Sequence, residues 1–266
     1  MNLTDCCACV RGWVWGAFRV IAAMSMAASP LAAVPATAAQ TLTVSAAASL
    51  SDAFREIGKA FEATRPAVAV RFNFAASGVL LQQLAQGAPV DVLATADTET
   101  MQRATERKLV DAATRRDFAG NTLVLVTPSS DAGIKSLADV RQPAVRRIAL
   151  GKPALVPAGR YARNALEQTG LLPLLEPRLV PADSVRQVLD YVARGEVEAG
   201  FVYRTDAMAM PDRVRIVQTV ATPAPITYPA AVVSDSRHAS LGREFVQFLA
   251  SDAAQQILAR YGFGRA

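Results

Sequence analysis

The sequence has little cysteine and little histidine, and both scarcities exclude chemistry. Its three cysteines, Cys6, Cys7 and Cys9, lie at the very start of the chain, and its single histidine is His238. A chain whose main part holds no cysteine has no disulfide, no thiolate metal site and no cysteine nucleophile there. His238 follows a polar, turn-like stretch, Ser234 to Arg237, so we expect an exposed side chain without a catalytic role.

Other signatures of catalysis are missing as well. The sequence contains no His, Cys and carboxylate cluster with metal-site spacing, no Gly-x-Ser-x-Gly elbow and no Gly-x-x-x-x-Gly-Lys phosphate loop. Lysine and arginine number 28 against 23 acidic residues, a net charge of +5, but they are scattered among the acidic residues. No basic run is interleaved with aromatic residues, so the sequence argues against nucleic-acid binding. These absences favour a binding protein over an enzyme.

The sequence also lacks an apolar run that would make a comfortable membrane span. The nearest candidate, Val20 to Val34, is short and interrupted by two serines and a proline. Arg11 and Arg19 precede it, and a small-residue pattern, Ala36-Thr37-Ala38 or Thr37-Ala38-Ala39, follows it. Charged residues, an apolar stretch and a small-residue site in this order are typical of a secretion signal. We therefore predict that residues 1–39 are a signal peptide, removed together with the cysteines, and that the mature protein is periplasmic.

Strand and helix patterns alternate along the remaining chain. Apolar strand patterns at Leu42–Ala46, Val68–Phe74 and Val90–Ala96 are each followed by an amphipathic helix, and the alternation restarts at Thr122–Thr127. The chain closes on one helix, with apolar positions from Leu241 to Ile257. Such alternation is typical of parallel sheets covered by helices, and two rounds of it predict two α/β lobes. Ligands of such sheets bind at the carboxyl ends of the strands, which can face each other across a cleft.

Small or hydroxyl residues recur where a strand gives way to a helix. The four junctions are Ala48-Ser49, Ala76-Ser77-Gly78, Pro157-Ala158-Gly159 and Asp183-Ser184-Val185. A helix N-terminus presents unpaired N–H groups and the positive end of the helix dipole, and both favour anions. Serine at such a place is often only an N-cap, and Ser49 considered by itself predicts a cap. Four junctions divided between two lobes favour an anion site in one cleft.

Several segments follow one another in an order and spacing that is specific as a set. They are Ala-Ala-Ala-Ser-Leu at 46–50, Phe-Ala-Ala-Ser-Gly at 74–78, Gly-Ala-Pro-Val-Asp-Val at 87–92, Gly-Asn-Thr-Leu-Val at 120–124, Val-Pro-Ala-Gly-Arg-Tyr-Ala at 156–162, Ala-Asp-Ser-Val-Arg at 182–186, Phe-Val-Tyr-Arg-Thr-Asp-Ala at 201–207, Tyr-Pro-Ala-Ala-Val-Val at 228–233 and Arg-Tyr-Gly-Phe at 260–263. In these segments the chain resembles the molybdate-binding periplasmic proteins of ABC transporters. The resemblance covers essentially the whole chain after residue 39.

The resemblance implies an α/β, two-lobed periplasmic-binding-protein fold of type II. Each lobe would be a mainly parallel sheet flanked by helices, with the ligand cleft between the lobes. Lobe 1 would hold residues 40–121, completed by 229–266, and lobe 2 would hold residues 122–228. The implied protein is a monomeric receptor that captures molybdate or tungstate and delivers it to an inner-membrane ABC permease. It would need no cofactor and would have no enzymatic activity.

The resemblance also implies which residues hold the oxyanion. Ser49 and Ser77 would each give a hydroxyl and a backbone N–H, Ala158 and Val185 would give backbone N–H groups, and Tyr203 would give its phenolic O–H. The molybdenum would be contacted only through the oxygens of the oxyanion. Without the resemblance, an aromatic residue at the end of an apolar strand, as Tyr203 is, would be assigned to the core.

Recognition by donors alone would select among oxyanions. Molybdate, tungstate and sulfate are unprotonated near neutral pH and need only donors, whereas phosphate usually keeps a proton and needs an acceptor. None of the five residues supplies a carboxylate acceptor. Where relatives often carry a run of serines, this chain has Ala75-Ala76-Ser77-Gly78, which leaves fewer hydroxyls there. The sequence gives no cavity size, so sulfate or another tetrahedral oxyanion such as chromate stays the alternative ligand.

Overall fold

The structure, a computed structural model, describes residues 40–130 and 133–266. The predicted signal peptide, residues 1–39, and its three cysteines lie outside the described residues. Within the described ranges there are ten strands: β1 (Gln40–Ala47), β2 (Val68–Ala75), β3 (Val92–Ala94), β4 (Arg116–Asn121), β5 (Leu123–Pro128), β6 (Ile148–Gly151), β7 (Leu179–Ala182), β8 (Ala199–Tyr203), β9 (Val214–Val220) and β10 (Ile226–Val232).

Helices follow most of these strands, as the alternating sequence patterns predict. The described residues hold nine α-helices: α1 (Ser51–Ala63), α2 (Ser77–Ala85), α3 (Thr98–Glu106), α4 (Pro157–Gln168), α5 (Leu172–Leu175), α6 (Val185–Ala193), α7 (Arg204–Met208), α8 (Ala239–Phe248) and α9 (Asp252–Arg260). In this part of the chain, none of the helices combines the length and the apolar character that crossing a bilayer requires.

The strands form two five-stranded sheets of the same design. Their orders are β2-β1-β3-β10-β4 and β7-β6-β8-β5-β9. In the first sheet β10 runs antiparallel to both of its neighbours, and in the second sheet β5 does so. The other pairs are parallel. Each sheet is therefore mixed, with four of its five strands in one direction, and the prediction of two lobes with mainly parallel sheets is confirmed.

The chain passes between the sheets twice. Thr122 is the only residue between β4 of the first sheet and β5 of the second, and residues 221–225 lead back from β9 to β10. The boundary expected between residues 228 and 229 falls inside β10, because this strand begins directly after Pro225 and pairs with β4 from Ile226 onward. The lobe boundaries as a whole stay a prediction.

Two elements differ from the sequence-based expectation. Strand β4 was not predicted, because its sequence Arg-Asp-Phe-Ala-Gly-Asn begins with charged, exposed residues and shows little alternation. The single closing helix was also wrong, since α8 and α9 are separate helices. Ser251 separates them, and its hydroxyl caps α9 by accepting a hydrogen bond from the N–H of Ala254 at 3.3 Å.

A cluster of aromatic rings fixes α1 on the first sheet. The ring centroids of Phe61 and Phe245 lie 5.2 Å apart, and those of Phe54 and Phe72 lie 5.9 Å apart. These rings belong to α1, β2 and α8, so one buried cluster ties the helix to the sheet and to the C-terminal segment. Burial of one such side chain contributes about 2 kcal/mol. The start of α1, next to Ser49, is thereby held at the carboxyl end of β1.

Candidate ligand-binding site

Four helix starts meet between the two sheets, at the carboxyl ends of strands. In the first lobe they are a short 3-10 turn at Ala48–Leu50, which leads into α1, and the start of α2 at Ser77. In the second lobe they are the start of α4 at Pro157 and the start of α6 at Val185. The first N–H groups of a helix have no partner within the helix, and the helix dipole adds positive potential there. The sequence predicted these four junctions.

The four helix starts enclose a small cavity of about 10 Å³. The described residues that line it are Ala47, Ala48, Ser49, Ala76, Ser77, Ala96, Val156, Pro157, Ala158, Val185 and Tyr203. All five residues that the resemblance named as ligand contacts are among them, and each is at most 4% exposed. None of these lining residues has a carboxylate or a cationic side chain. The cavity is therefore walled by backbone, small side chains and three hydroxyls.

Ser49 does not cap a helix, so the interpretation of this residue as an N-cap was wrong. The 3-10 turn delays the start of α1 to Ser51, and no side chain caps either helical start. The Ser49 hydroxyl instead lies 3.0 Å from the phenolic oxygen of Tyr228 on β10. This oxygen in turn accepts a hydrogen bond from the side-chain amide of Asn121, at the end of β4, at 3.1 Å.

Ser77 and Tyr203 both contact the backbone of Ala96, which follows β3. The Ser77 hydroxyl accepts a hydrogen bond from the Ala96 N–H at 3.0 Å. The Tyr203 hydroxyl donates its hydrogen to the Ala96 carbonyl at 3.1 Å, which joins β8 of the second sheet to the first lobe. Ser77 therefore keeps its own hydrogen free for another acceptor, whereas the hydrogen of Tyr203 is directed at the protein.

The second lobe contributes backbone N–H groups. Pro157, the first residue of α4, has no N–H, so Ala158 carries the first one of that helix. A Cβ added at Gly159 would lie 1.8 Å from the carbonyl oxygen of Gly151, so glycine lets α4 start directly against the end of β6. At α6 the first N–H is that of Val185, and the preceding Ser184 is the N-cap, accepting from the N–H of the residue three positions on at 3.2 Å.

Direct contacts between the lobes surround one side of the cavity. The Gly78 N–H donates to the carbonyl of Leu155 at 2.9 Å, and a Cβ at Gly78 would lie 2.7 Å from the same oxygen. Arg160 of α4 forms an ion pair with the buried Asp97, and its Nε lies 3.0 Å from a carboxylate oxygen of Glu99. Asp97 also caps α3, so this arginine binds a carboxylate that is already fixed.

Arg186 of α6 forms a second connection between the lobes. Its Nη1 lies 2.8 Å from a carboxylate oxygen of Asp52 on α1, and its Nε lies 2.7 Å from one of Asp206 on α7. The second contact is an ion pair without an aligned hydrogen bond. Burial lowers the pKa of Arg186, but the two carboxylates raise it more, so its pKa lies above the ordinary value.

Burial also changes the pKa of acidic groups near the cavity. Asp206 is fully buried, and burial raises its pKa to about 6, although Arg186 and a hydrogen bond from the Tyr203 N–H act in the opposite direction. Burial raises the pKa values of Tyr203 and Tyr228 well above 10. Both phenols therefore keep their protons at neutral pH and act as O–H groups rather than as anions.

His238 lies outside this site. Its side chain is 37% exposed, less than the sequence suggested, and its Nδ1 lies 3.3 Å from a carboxylate oxygen of Asp91 in the first lobe. Asp91 also accepts hydrogen bonds from the Ser236 hydroxyl at 2.7 Å and from the Thr43 N–H at 2.8 Å. In residues 40–130 and 133–266, no group of three or more His, Cys, Asp or Glu side chains could hold a metal ion.

The sequence did not assign a role to three residues of this site: Ala96, Asn121 and Tyr228. Ala96 is an ordinary small residue after a short strand, and only the folded backbone brings it between Ser77 and Tyr203. Asn121 and Tyr228 are 107 residues apart in sequence. The sequence offered only a weak signal for Asn121 and Tyr228, namely that they are polar residues in strands that flank the crossings between the lobes.

Two sheets of the same design, joined by two crossings and enclosing a buried cavity of donors, define a two-lobed ligand-binding protein. The family described as bacterial extracellular solute-binding protein matches residues 42–264. The chain belongs to this family, which is one of solute-binding receptors and not of enzymes.

Known relatives agree with this assignment. The chain is 37% identical over 229 residues to the molybdate-binding protein ModA of Escherichia coli (strain K12), which covers 84% of this chain and 88% of that protein. It is 35% identical over 236 residues to ModA of Haemophilus influenzae, over 85% of this chain and 91% of that protein. The solved Azotobacter vinelandii periplasmic molybdate-binding protein matches with a TM-score of 0.75, over 85% of this chain and 99% of that one. At 22% identity, this last likeness shows the fold alone.

Proposed function

We propose that the protein is a periplasmic receptor that captures molybdate or tungstate between its lobes and delivers it to an inner-membrane ABC permease. Residues 1–39 serve as the signal peptide in this proposal. The ligand contacts are Ser49, Ser77, Ala158, Val185 and Tyr203, and the metal is reached only through the oxyanion oxygens. The names of the relatives at 35% and 37% identity support molybdate as the ligand.

One observation supports the proposal most strongly: the described lining of the cavity offers donors and no charged side chain. A buried dianion without compensation is costly, and a cationic side chain is the simplest partner for it. Here the compensation comes from aligned N–H groups and hydroxyls at four helix starts. Such a site suits an anion whose oxygens accept hydrogen bonds on every side.

Ligand binding would exchange one contact between the lobes. Both lobes line the cavity, in which the space for the centre of a water molecule is about 10 Å³. The hydrogen bond from Tyr203 to the Ala96 carbonyl spans the cavity and is the contact to exchange, because the freed O–H can then donate to the anion. Ligand contacts in both lobes would then hold the lobes together.

The alternative ligand is sulfate or another tetrahedral oxyanion. Sulfate shares the charge and the need for donors, and the geometry of the lining does not separate it from molybdate. The relatives are named for molybdate, which is why we rank molybdate first. The proposal includes no cofactor, no catalysis and no nucleic-acid partner, and it treats the protein as a monomer.

Isothermal titration tests the proposal. The full chain is expressed in a Gram-negative host and purified from the periplasm, and N-terminal sequencing checks cleavage near residue 39. Molybdate, tungstate, sulfate and phosphate are titrated side by side. We expect micromolar or tighter binding of molybdate and tungstate and no binding of phosphate. Absence of heat with both molybdate and tungstate contradicts the proposal, and tight binding of sulfate alone selects the alternative.

A further inference from the structure

The side-chain amide of Asn121 has an orientation that the structure fixes. Its Oδ1 accepts a hydrogen bond from the N–H of Thr122 at 2.9 Å, and a backbone N–H can only donate. The nitrogen of the amide therefore faces the other way, where it donates to the phenolic oxygen of Tyr228 at 3.1 Å and to the hydroxyl of Thr205 at 2.9 Å. Both amide hydrogens are used, and the donor direction toward Tyr228 is settled.

The hydrogen bond that Tyr228 accepts from Asn121 also determines the direction of the one between Tyr228 and Ser49. It is 0% exposed, and among the described residues its phenolic oxygen has two polar neighbours, the Asn121 amide nitrogen and the Ser49 hydroxyl at 3.0 Å. Since the amide already donates to Tyr228, the Tyr228 hydrogen has one acceptor available, the Ser49 oxygen. The opposite arrangement, with Ser49 donating, would leave a buried O–H without an acceptor, which is unfavourable.

We infer that Asn121 and Tyr228 are positioning residues that make the Ser49 hydroxyl a hydrogen-bond donor toward the ligand cavity. Ser49 accepts from Tyr228, so its own hydrogen is left for the oxyanion. The Ser77 hydroxyl is directed as a donor in the same way, but by a different neighbour, because the Ala96 N–H donates to its oxygen. Two hydroxyls of the first lobe are thereby set as donors before a ligand arrives, which favours fully deprotonated oxyanions over those that carry a proton.

This inference rests on the proposed function and refines the selectivity of the same site. Tyr228→Phe is the direct test, because it removes the hydroxyl and keeps the ring that packs against Tyr203 and Phe263, with centroids 5.7 and 5.4 Å away. We expect about a fivefold to tenfold loss of molybdate affinity, and a rise in phosphate affinity relative to molybdate, because a rotating Ser49 hydroxyl can also accept.

A double-mutant cycle separates positioning from a general structural effect. If Tyr228 acts through Ser49, Ser49→Ala combined with Tyr228→Phe binds molybdate as Ser49→Ala does, because there is no hydroxyl left to orient. Tyr191→Phe, which removes a phenol from α6 outside this chain of hydrogen bonds, is the control and should bind as the wild type does. Asn121→Ala is a second variant, expected to act in the same direction, if Tyr228→Phe does not fold.

The outcomes distinguish this inference from the proposed function. A wild-type protein that binds none of the oxyanions overturns both. A wild type that binds molybdate, together with unchanged affinity in Tyr228→Phe and Asn121→Ala, overturns the inference alone. So does a double variant whose loss equals the product of the two single losses, since Tyr228 would then act independently of Ser49.

Discussion

The two lobes build their halves of the cavity in different ways. The first lobe presents hydroxyls, those of Ser49 and Ser77, and each accepts a hydrogen bond from a neighbour within the same lobe. The second lobe presents the backbone N–H groups of Ala158 and Val185, which helix starts hold in place. Its one hydroxyl in the cavity, that of Tyr203, donates to the first lobe instead.

The difference shows which substitutions each half tolerates. A hydroxyl donor disappears when the side chain is changed, and it loses its direction when the neighbour is changed. A backbone donor survives any side-chain substitution that leaves the helix in place, but it moves with the helix. The first half should therefore be sensitive to the removal of single atoms, and the second half to packing beneath the helix starts.

The largest expected effect is that of Gly159→Ala, which attacks the second half through packing. The added methyl group would lie 1.8 Å from the Gly151 carbonyl oxygen, so the start of α4 has to move. We expect the free energy of unfolding to fall by about 3 kcal/mol and molybdate affinity by about 100-fold. Urea denaturation and titration measure the two effects. Gly264→Ala is the control, because its Cβ would meet only ordinary contacts. Wild-type molybdate affinity in Gly159→Ala would refute the dependence of the second-lobe donors on packing beneath α4.

The buried carboxyl group of Asp206, close to the second lobe's half of the cavity, should make the stability of the protein depend on pH. Asp206 has its pKa raised from 3.8 to about 6, mainly by burial, so between these values the folded state binds more protons than the unfolded state. The stabilisation is complete below pH 3.8 and is lost as the pH rises through about 6. As the pH rises across this window, the free energy of unfolding of the wild type should fall by roughly 2 to 3 kcal/mol relative to that of Asp206→Asn.

Urea denaturation of both proteins at several pH values between 4 and 7 measures this difference. Asp206→Asn is a close isostere that can still accept from the Tyr203 N–H. If the two proteins keep a constant difference in unfolding free energy over the range, Asp206 does not have the raised pKa.

Ser77→Ala should show the sensitivity of the first half to the loss of one hydroxyl. The substitution removes a donor to the ligand and takes the partner from the buried Ala96 N–H. We expect molybdate affinity to fall about 30-fold, corresponding to about 2 kcal/mol for a hydrogen bond to a charged group. Ser251→Ala, which removes a helix cap far along the chain, should cost about 1 kcal/mol of stability and leave the affinity unchanged. Equal affinities of Ser77→Ala and the wild type would exclude Ser77 from the site.

The smallest expected effect is that of Val185→Ala, in the second half. The substitution keeps the N–H and the helix cap at Ser184, and it removes only methyl groups from a side chain that is 4% exposed. Stability should fall by about 1 to 2 kcal/mol, while molybdate affinity changes less than about threefold. Titration with molybdate decides the point: a loss of tenfold or more would mean that the side chain itself holds the ligand.

Much of the fold followed from local sequence patterns. Hydrophobic periodicity predicted the alternation of strands and helices, because the core face of each element repeats along a few consecutive residues. The cap of α3 at Asp97 and the four helix starts were also local features. Strand β4 escaped this reasoning because its pairing with β10, more than a hundred residues further on, and not its own pattern makes it a strand.

The sequence by itself determined two α/β lobes and four helix starts with small or hydroxyl residues; the five ligand contacts that the resemblance implies stay a prediction. Only the tertiary structure decided that the helix starts enclose one cavity and how the hydroxyls are directed. The Ser49 hydroxyl meets Tyr228 across 179 residues, and the Tyr203 hydroxyl meets Ala96 across 107. Helix starts depend on neighbours within one turn, whereas the direction of a hydroxyl depends on partners that only folding brings into contact.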